Sequence, residues 1–202
     1  MKDEEALSDG VGRTANRPER LASGPPLVGL TGPNAAGKGE AAACLVERGY
    51  TYHSLSNIVR EEATLRGLTH AREDLIRVGN ELRSAGGPGV LAERLLGRLS
   101  GRDVVDSIRN PQEVAVLRRV PGFVLIGLDA PVEVRFSRAQ RRGRLGDGES
   151  LEEFRRREEE ENTSDPARQQ IRATLVLADV LLVNASTLAD LQAAIDRLIR
   201  KS

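Results

Sequence analysis

Residues 27–38 read LVGLTGPNAAGK, and this stretch decides the fold. Its first part, Leu27 to Thr31, is a short apolar run with the length of a strand that is buried on both faces of a parallel sheet. The second part, Gly32 to Lys38, matches the pattern G-x-x-x-x-G-K, and a helix-like pattern follows from Gly37 to Arg48. A strand, a glycine-containing loop and a helix in this order predict a phosphate-binding loop.

The chemistry of this loop comes from its backbone and from one lysine. Glycines allow the chain to curl so that successive N–H groups face a polyphosphate, and the following helix adds the positive end of its dipole. Lys38 is expected to reach the β- and γ-phosphates of ATP or a similar nucleotide and to act in catalysis. The predicted nucleotide-binding residues of the loop are Gly32, Pro33, Asn34, Ala35, Ala36, Gly37, Lys38, Gly39 and Glu40.

Lysine is rare in this chain. Its three lysines are Lys2, Lys38 and Lys201, and all the other basic side chains apart from histidine are arginines. Because arginine serves wherever a surface cation suffices, a lysine inside the domain indicates a need for a compact ammonium group. The alternative is that Lys38 is a chance survivor of the compositional bias.

The residues after Lys38 depart from the usual pattern of such loops. The serine or threonine that ligates Mg²⁺ is replaced by Gly39, so magnesium bound with ATP must be held mainly by phosphates and waters. Glu40 either orders one of these waters or simply complements the helix dipole. Asp106 ends the apolar run that begins at Val104, where a P-loop protein places an acidic residue that orients magnesium-bound water. Otherwise this carboxylate caps the next turn.

The rest of the chain alternates short apolar strands with amphipathic helices, which predicts a three-layer α/β domain of the P-loop type with a central parallel sheet. Ligands of such sheets bind beyond the carboxyl ends of the strands. Residues 1–24 predict a disordered N-terminal tail, and residues 25–202 the domain. Residues 143–165 predict a helical lid, hinged by glycines, and the charged helix that begins at Ser150 is interpreted as a solvated element outside the site.

Composition excludes several classes of function. The chain has 202 residues, enough for one domain with a full core, and its 30 acidic residues balance its 30 lysines and arginines. Nothing in this balance points to nucleic acid or to a membrane surface. One cysteine, Cys44, rules out an internal disulfide framework, and no apolar run has the length of a membrane span. The expected localisation is the cytoplasm.

Several strings resemble known families. Gly37-Lys38-Gly39 resembles the loop of adenylate kinases. Residues 37–42, GKGEAA, together with residues 56–63, SNIVREEA, resemble a group of archaeal P-loop proteins related to dephospho-coenzyme A kinase. Residues 54–60, 79–83, 106–111 and 128–131 are similar to the kinase-like domain that is fused to some deoxycytidylate deaminases. With one cysteine, the zinc signature of a deaminase is impossible.

The resemblance implies roles for several side chains. Arg60 takes the acceptor's phosphate unless it is a surface partner of Ser56 or Thr64, and Arg109 reaches the same crevice. Ser56 is the expected N-cap of its helix and lies with Arg60 on one face. Arg83 either lines the same pocket or belongs to a solvated helix face. With Arg83 added on its helical spacing, the predicted acceptor-binding residues are Ser56, Arg60, Arg83 and Arg109.

The resemblance also implies residues that bind ATP, the phosphoryl donor. Arg138 and Arg142 begin an arginine-rich entry to the lid, where guanidinium groups neutralise the phosphoryl group in flight, unless they form a solvated helix end. Asn184 and Ala185 belong to a turn that lies beside the adenine in dephospho-coenzyme A kinase-like proteins. The predicted catalytic set is therefore Lys38, Asp106, Arg138 and Arg142, with Asp106 holding the metal through water.

These expectations define a phosphotransferase that moves the γ-phosphoryl group of ATP, with Mg²⁺, to a nucleotide-like acceptor. A (deoxy)nucleoside monophosphate is the first choice of acceptor and dephospho-coenzyme A the second. The alternative is a sensor module that binds ATP or a deoxynucleotide and regulates a protein partner with little turnover. The missing magnesium hydroxyl favours the sensor, and the arginines of the lid favour the enzyme.

Overall fold

A computed structural model describes residues 24–143 and 150–200 of the chain. Nearly all of the predicted tail, residues 1–23, lies outside the described residues, as do residues 144–149 of the predicted lid. The strands of the described part are β1 (Leu27–Thr31), β2 (Thr51–Ser54), β3 (Asp103–Ile108), β4 (Phe123–Asp129) and β5 (Val180–Val183). They form a single parallel sheet in the order β2-β3-β1-β4-β5. The carboxyl ends of all five strands therefore meet at one edge, with β1 at the centre.

Helices connect the strands and cover the sheet. Their bounds are α1 (Lys38–Glu47), α2 (Leu55–Leu65), α3 (Arg72–Gly86), α4 (Val90–Leu96), α5 (Pro111–Leu117), α6 (Val132–Arg142), α7 (Leu151–Glu161), α8 (Ile171–Val176) and α9 (Leu188–Arg200). The short α8 has no counterpart in the sequence pattern. None of the helices in the described ranges is long and apolar enough to cross a membrane.

Two apolar clusters lie on opposite faces of the sheet and make the domain three-layered. Along β1, Leu27 belongs to the cluster that α2, α3, α4 and α5 cover, whereas Val28 and Leu30 belong to the cluster that α1 and α9 cover. This alternation is the two-residue period of a strand, and all five residues of β1 are buried. The predicted three-layer α/β fold with a central parallel sheet is confirmed.

One predicted helix boundary is wrong. The N-cap of α2 is Ser54, whose hydroxyl accepts a hydrogen bond from the backbone N–H of Ser56 at 3.2 Å. Ser56 therefore belongs to the first turn of α2 and is not its cap. The sequence offers serines at both positions, and the correct one is the residue that retains an extended backbone as it leaves β2.

Candidate functional site

The phosphate loop connects the centre of the sheet to α1, and its glycines are required by close approaches. Gly32 has φ 138°, and a Cβ atom there would lie 2.0 Å from the carbonyl oxygen of Leu128. Gly37 has φ 104°, and a Cβ atom there would lie 2.1 Å from Nδ2 of Asn184. No L side chain fits at either position without moving backbone or an anchoring side chain. The two fixed glycines of the G-x-x-x-x-G-K pattern are thus explained by neighbours from β4 and the turn after β5.

Lys38 bends back over this loop. Its Nζ donates to the carbonyl oxygens of Gly32 at 2.8 Å and Pro33 at 2.7 Å. Burial, together with the positive charges of Arg109, Arg142 and Arg135, lowers the pKa of Lys38 to about 8, although Asp106 opposes the shift. An anion at the mouth of the loop would relieve this concentration of positive charge and stabilise the ammonium form.

Asp106 lies where the pairing of β1 and β3 becomes irregular. Between the pairs Gly29–Val105 and Thr31–Ile108 the register shifts, so β3 contains one extra residue, as in a β-bulge. Ser107 within it has φ 66°, an uncommon left-handed conformation for a residue other than glycine. Oδ1 of Asp106 accepts from the N–H of Ser107 at 2.5 Å. The bulge therefore interrupts the pairing of β3 with β1 at Asp106, while Asp106 stays in register with Ser54 of β2.

The donor set around the loop suits magnesium only in a hydrated form. No group of three or more His, Cys, Asp or Glu side chains that could hold a metal exists in residues 24–143 and 150–200. Asp106 is one carboxylate close enough to Lys38 to act on its pKa, and Gly39 supplies no oxygen. Mg²⁺ commonly retains several waters and binds through one or two carboxylates plus substrate phosphates, which matches this set.

A cavity of about 410 Å³ opens from the phosphate loop toward α2 and α3. Lys38 and Asn34 lie at its loop end, and Leu55, Val59 and Ile76 supply apolar wall. The structure places all four sequence-predicted acceptor residues in this wall, together with Arg142. The charged residues that line it are Lys38, Arg60, Arg72, Arg83, Arg109, Arg142 and Glu161.

Two of these arginines are neutralised by carboxylates. Arg83 is 4% exposed and donates from Nε at 3.1 Å and from Nη2 at 2.9 Å to the same oxygen of Glu113, which is fully buried. Arg72 donates to Glu161 at 2.6 Å across the gap between α3 and α7. The alternative that Arg83 belongs to a solvated helix face is wrong, because Arg83 is buried at the contact between α3 and α5 with a carboxylate partner.

Three other cavity arginines are oriented by neutral amides. Arg109 donates to Oε1 of Gln169 at 2.9 Å, and Arg60 to Oδ1 of Asn57 at 3.1 Å. Arg142 donates to Oδ1 of Asn34 in the phosphate loop at 3.0 Å. Burial lowers the pKa of the Arg109 guanidinium, while the negative charges of Glu161 and Asp106 oppose the shift.

Helix α6 joins the phosphate loop to α7. Arg135, which is 7% exposed, donates to the carbonyl oxygens of Ala130 and Asn34 and forms an ion pair with Glu158 of α7. Arg138 on the same helix has a buried Nη1 without a hydrogen-bond partner. Arg138 is thus partly buried, whereas Arg142 at the end of α6 is exposed, so the solvated helix end that remained possible from the sequence is wrong for Arg138 only.

Asn184 braces the loop rather than facing outward. It is 8% exposed, and its Nδ2 donates to the carbonyl oxygen of Ala36 at 2.9 Å. Its backbone N–H donates to Asp129 at the end of β4. The next residue, Ala185, is exposed. The role beside adenine that the resemblance implies for these two residues stays a prediction, whereas the support of the loop by Asn184 is visible.

Helix α7 contributes more than the sequence pattern suggested. Phe154 is 2% exposed and packs against Phe136 of α6 with 5.8 Å between ring centroids. At the end of α7, Glu161 enters the cavity wall. The interpretation of α7 as a solvated helix outside the site is therefore wrong, because one aromatic residue in a charged sequence is enough to anchor the helix.

Sequence reasoning missed Arg135, Glu113, Gln169 and Glu161. Arg135 could have been found, because it lies three residues before Arg138 and seven before Arg142 on one helical face. Glu113 follows Asn110 at capping-box spacing, which predicts a local role, and its second role as the partner of Arg83 depends on packing. Gln169 lies in a stretch without periodicity, so no sequence signal marks it.

The fold and the loop together define the class of this protein, a P-loop α/β protein with a kinase-like fold. It superposes on TT1252 from Thermus thermophilus with a TM-score of 0.57 and 25% identity, covering 88% of this chain and 98% of that one. Shikimate kinase from Acinetobacter baumannii, in complex with shikimate, gives a TM-score of 0.53 at 18% identity over 89% of this chain and 94% of that one. A gluconokinase from Sinorhizobium meliloti also gives 0.53 at 18% identity, over 89% and 96% of the two chains.

Within that class, the chain belongs to the UPF0200 family. The UPF0200 protein of Hyperthermus butylicus is 32% identical over 179 residues, which span 87% of this chain and 94% of that protein. A UPF0200 protein of Methanosarcina barkeri is 37% identical over 141 residues, 67% of this chain and 76% of its own length. No family model matches the sequence.

Proposed function

We propose that this protein is an ATP-dependent phosphotransferase whose acceptor is a nucleotide-like molecule that carries a phosphate. One observation carries the proposal. The cavity of about 410 Å³ joins the phosphate-loop lysine, Lys38, to a wall that contains five arginines. Its volume lies in the range of roughly 300–1,000 Å³ that is usual for small-molecule sites. Donor and acceptor phosphates would therefore meet within one enclosure.

The donor side of this enclosure consists of the loop N–H groups, the N-terminus of α1 and Lys38. Asp106 would hold Mg²⁺ through water, and the ion would supply charge neutralisation between the β- and γ-phosphates. Arg138 and Arg142 are assigned to the transferring phosphoryl group. The place of Arg142 in the cavity wall and its contact with the loop residue Asn34 support its assignment, whereas Arg138 is not among the residues that line the cavity.

The acceptor side suits an anionic group attached to a less polar body. Arg60 and Arg109 lie near the apolar residues Leu55, Val59 and Ile76 in one wall. A (deoxy)nucleoside monophosphate has both parts and remains the first choice, with dephospho-coenzyme A second. In the reaction, an acceptor oxygen bonds to the γ-phosphorus while the bond from that phosphorus to the β–γ bridging oxygen breaks. The acceptor oxygen is a phosphate oxygen of a nucleoside monophosphate, or a hydroxyl oxygen of dephospho-coenzyme A, which releases its proton. ADP leaves, and the phosphorylated acceptor remains.

A transfer screen tests the proposal. The purified protein is incubated with ATP, Mg²⁺ and, one at a time, nucleoside and deoxynucleoside monophosphates, dephospho-coenzyme A, shikimate and gluconate. Products are identified by ³¹P NMR, and Lys38→Ala is the matched inactive control. We expect transfer to at least one phosphate-bearing acceptor by wild type alone. Transfer only to shikimate or gluconate would contradict the acceptor class.

A nucleotide sensor is the second candidate, favoured by Gly39. A Cβ atom at this position would meet no heavy atom within 4 Å, so a magnesium-binding hydroxyl would fit sterically and yet the chain does not have one. Tight ATP binding by wild type, without transfer to any acceptor of the panel, would contradict the phosphotransferase function and support the sensor function.

A further inference from the structure

The arginines of the cavity fall into two groups according to the side chain that holds them. Carboxylates hold Arg83 and Arg72, so each of these cations is compensated within the protein. Amides hold Arg109 and Arg60, and within the part of the chain that the structure describes neither arginine forms an ion pair. A carboxylate orients and neutralises a guanidinium, whereas an amide oxygen orients it and leaves its charge for another partner.

Arg109 shows the difference most clearly, because its surroundings make an uncompensated charge costly. The guanidinium is sufficiently desolvated that burial lowers its pKa. Two carboxylates influence it from a distance, those of Glu161 and Asp106, but Glu161 is committed to Arg72. A desolvated cation without an ion-pair partner is expensive unless a ligand supplies the anion.

The amide that holds Arg109 is fixed in place from several directions. Gln169 is 7% exposed and lies between α7 and α8. Its backbone carbonyl accepts from Thr163, and the N–H of Gln170 donates to the carbonyl oxygen of Arg109 at 2.8 Å. The side chain of Asn110 donates to the carbonyl oxygens of Pro166 and Arg168, at 2.7 and 2.9 Å. The segment 163–170 is thus clamped onto the end of β3, and Gln169 is a rigid support.

We infer that Gln169 is a positioning residue that aims Arg109 into the cavity while preserving its charge, so that Arg109 and Arg60 form a subsite for the phosphate monoester of the acceptor. Arg83 and Arg72, which carboxylates neutralise, form the wall of the cavity and do not bind the phosphate. This inference rests on the proposed function, because it identifies the acceptor end of the same cavity. It reassigns Arg83 from ligand binding to structure.

An isosteric substitution tests the inference directly. Gln169→Glu preserves the shape of the side chain and gives Arg109 a carboxylate partner within hydrogen-bond distance. The new ion pair would satisfy Arg109 inside the protein, so the melting temperature should stay level or rise. At the same time the subsite should lose its attraction for an anion. Opposite effects on stability and binding would not arise from a merely structural residue.

The measurement is phosphate binding rather than turnover, so failure of the subsite is distinguishable from failure of the kinase reaction. The donor site is first saturated with Mg²⁺ and a non-hydrolysable ATP analogue. Inorganic phosphate, AMP and dCMP are then titrated by calorimetry. We expect Gln169→Glu to weaken binding of the probes that wild type binds by about tenfold or more, which corresponds to about 1.4 kcal/mol.

Two further variants complete the test. Gln169→Met removes the hydrogen bond without adding charge and should weaken phosphate binding by only a few-fold. Gln192→Glu makes the same charge change on α9, across the sheet, and should have no effect. Three results would overturn the inference: equal binding by Gln169→Glu and wild type, equal losses in Gln169→Glu and Gln169→Met, or no binding of any phosphate probe by wild type.

Discussion

The two ends of the cavity are built in different ways. The proposed donor end is a contiguous stretch of chain, residues 32–38, in which Lys38 bends back over the loop backbone. The acceptor end is assembled from α2, α3, the end of β3, α7 and the segment before α8, and it relies on side chains. A phosphate loop therefore needs only its local sequence and a strand to carry it. The acceptor end needs the whole fold, and Arg72, Arg83 and Arg109 there each depend on a partner from another element.

This contrast predicts that substitutions at the junction of the two ends will have the largest effect. Arg142 lines the cavity and also contacts Asn34 of the loop. Because its charge is needed most while the phosphoryl group is in transit, Arg142→Ala should lower kcat by about 10³-fold and change ATP affinity by only a few-fold. Steady-state kinetics and ATP titration measure the two quantities. Arg141→Ala, at an exposed neighbour outside the cavity wall, is the control. Equal losses of ATP affinity and kcat in Arg142→Ala would show that Arg142 holds the ground state.

The acceptor end should also be the more fragile of the two in terms of stability. Glu113→Ala leaves the guanidinium of Arg83 buried without its carboxylate, so the free energy of unfolding should fall by about 3 kcal/mol. Denaturant unfolding measures this loss. Glu93→Ala removes the partner of Arg119 from an exposed pair and should cost less than about 1 kcal/mol. Similar losses in the two variants would mean that the buried pair has no special structural role.

Removal of a single cation from the acceptor end should change KM for the acceptor and leave KM for ATP unchanged. Arg60→Ala is expected to raise KM for the phosphate-bearing acceptor about tenfold while KM for ATP stays constant, because Arg60 lines the acceptor wall and is held by Asn57 of its own helix. The control is Arg66→Ala in the residue that follows α2, whose side chain pairs with Glu62 and Glu81 on the surface. An equal rise of both KM values in Arg60→Ala would contradict the assignment of Arg60 to a separate acceptor end.

The smallest predicted effect is a pH dependence of the donor end. In the free protein burial lowers the pKa of Lys38 to about 8, and bound phosphate raises it because the ammonium gains an anionic partner. At about pH 7 the lysine is protonated in both states. As the pH rises through about 8, the free protein must take up a proton to bind, so ATP affinity should be about fivefold lower at pH 9 than at pH 8. Calorimetry across this range measures the change, and Lys38→Arg should show none of it. A level profile in wild type would contradict the assignment of Lys38.

The sequence by itself determined the donor end. A strand, a glycine-rich loop and a helix are local features, and the chemistry of phosphate binding resides in backbone N–H groups that these features place next to each other. The alternation of short strands with helices likewise predicted the parallel three-layer fold. These predictions succeed because each depends on residues close together in the chain.

Only the tertiary structure decided the electrostatics of the acceptor end. The sequence marks Arg60, Arg83 and Arg109 as equivalent cations, yet their partners are Asn57, Glu113 and Gln169. The last two lie 30 and 60 residues away from the arginines that they hold. Whether a partner is a carboxylate or an amide decides whether a buried arginine is structural or remains available to an anion. That choice depends on packing between distant elements, for which a single sequence carries no local signal.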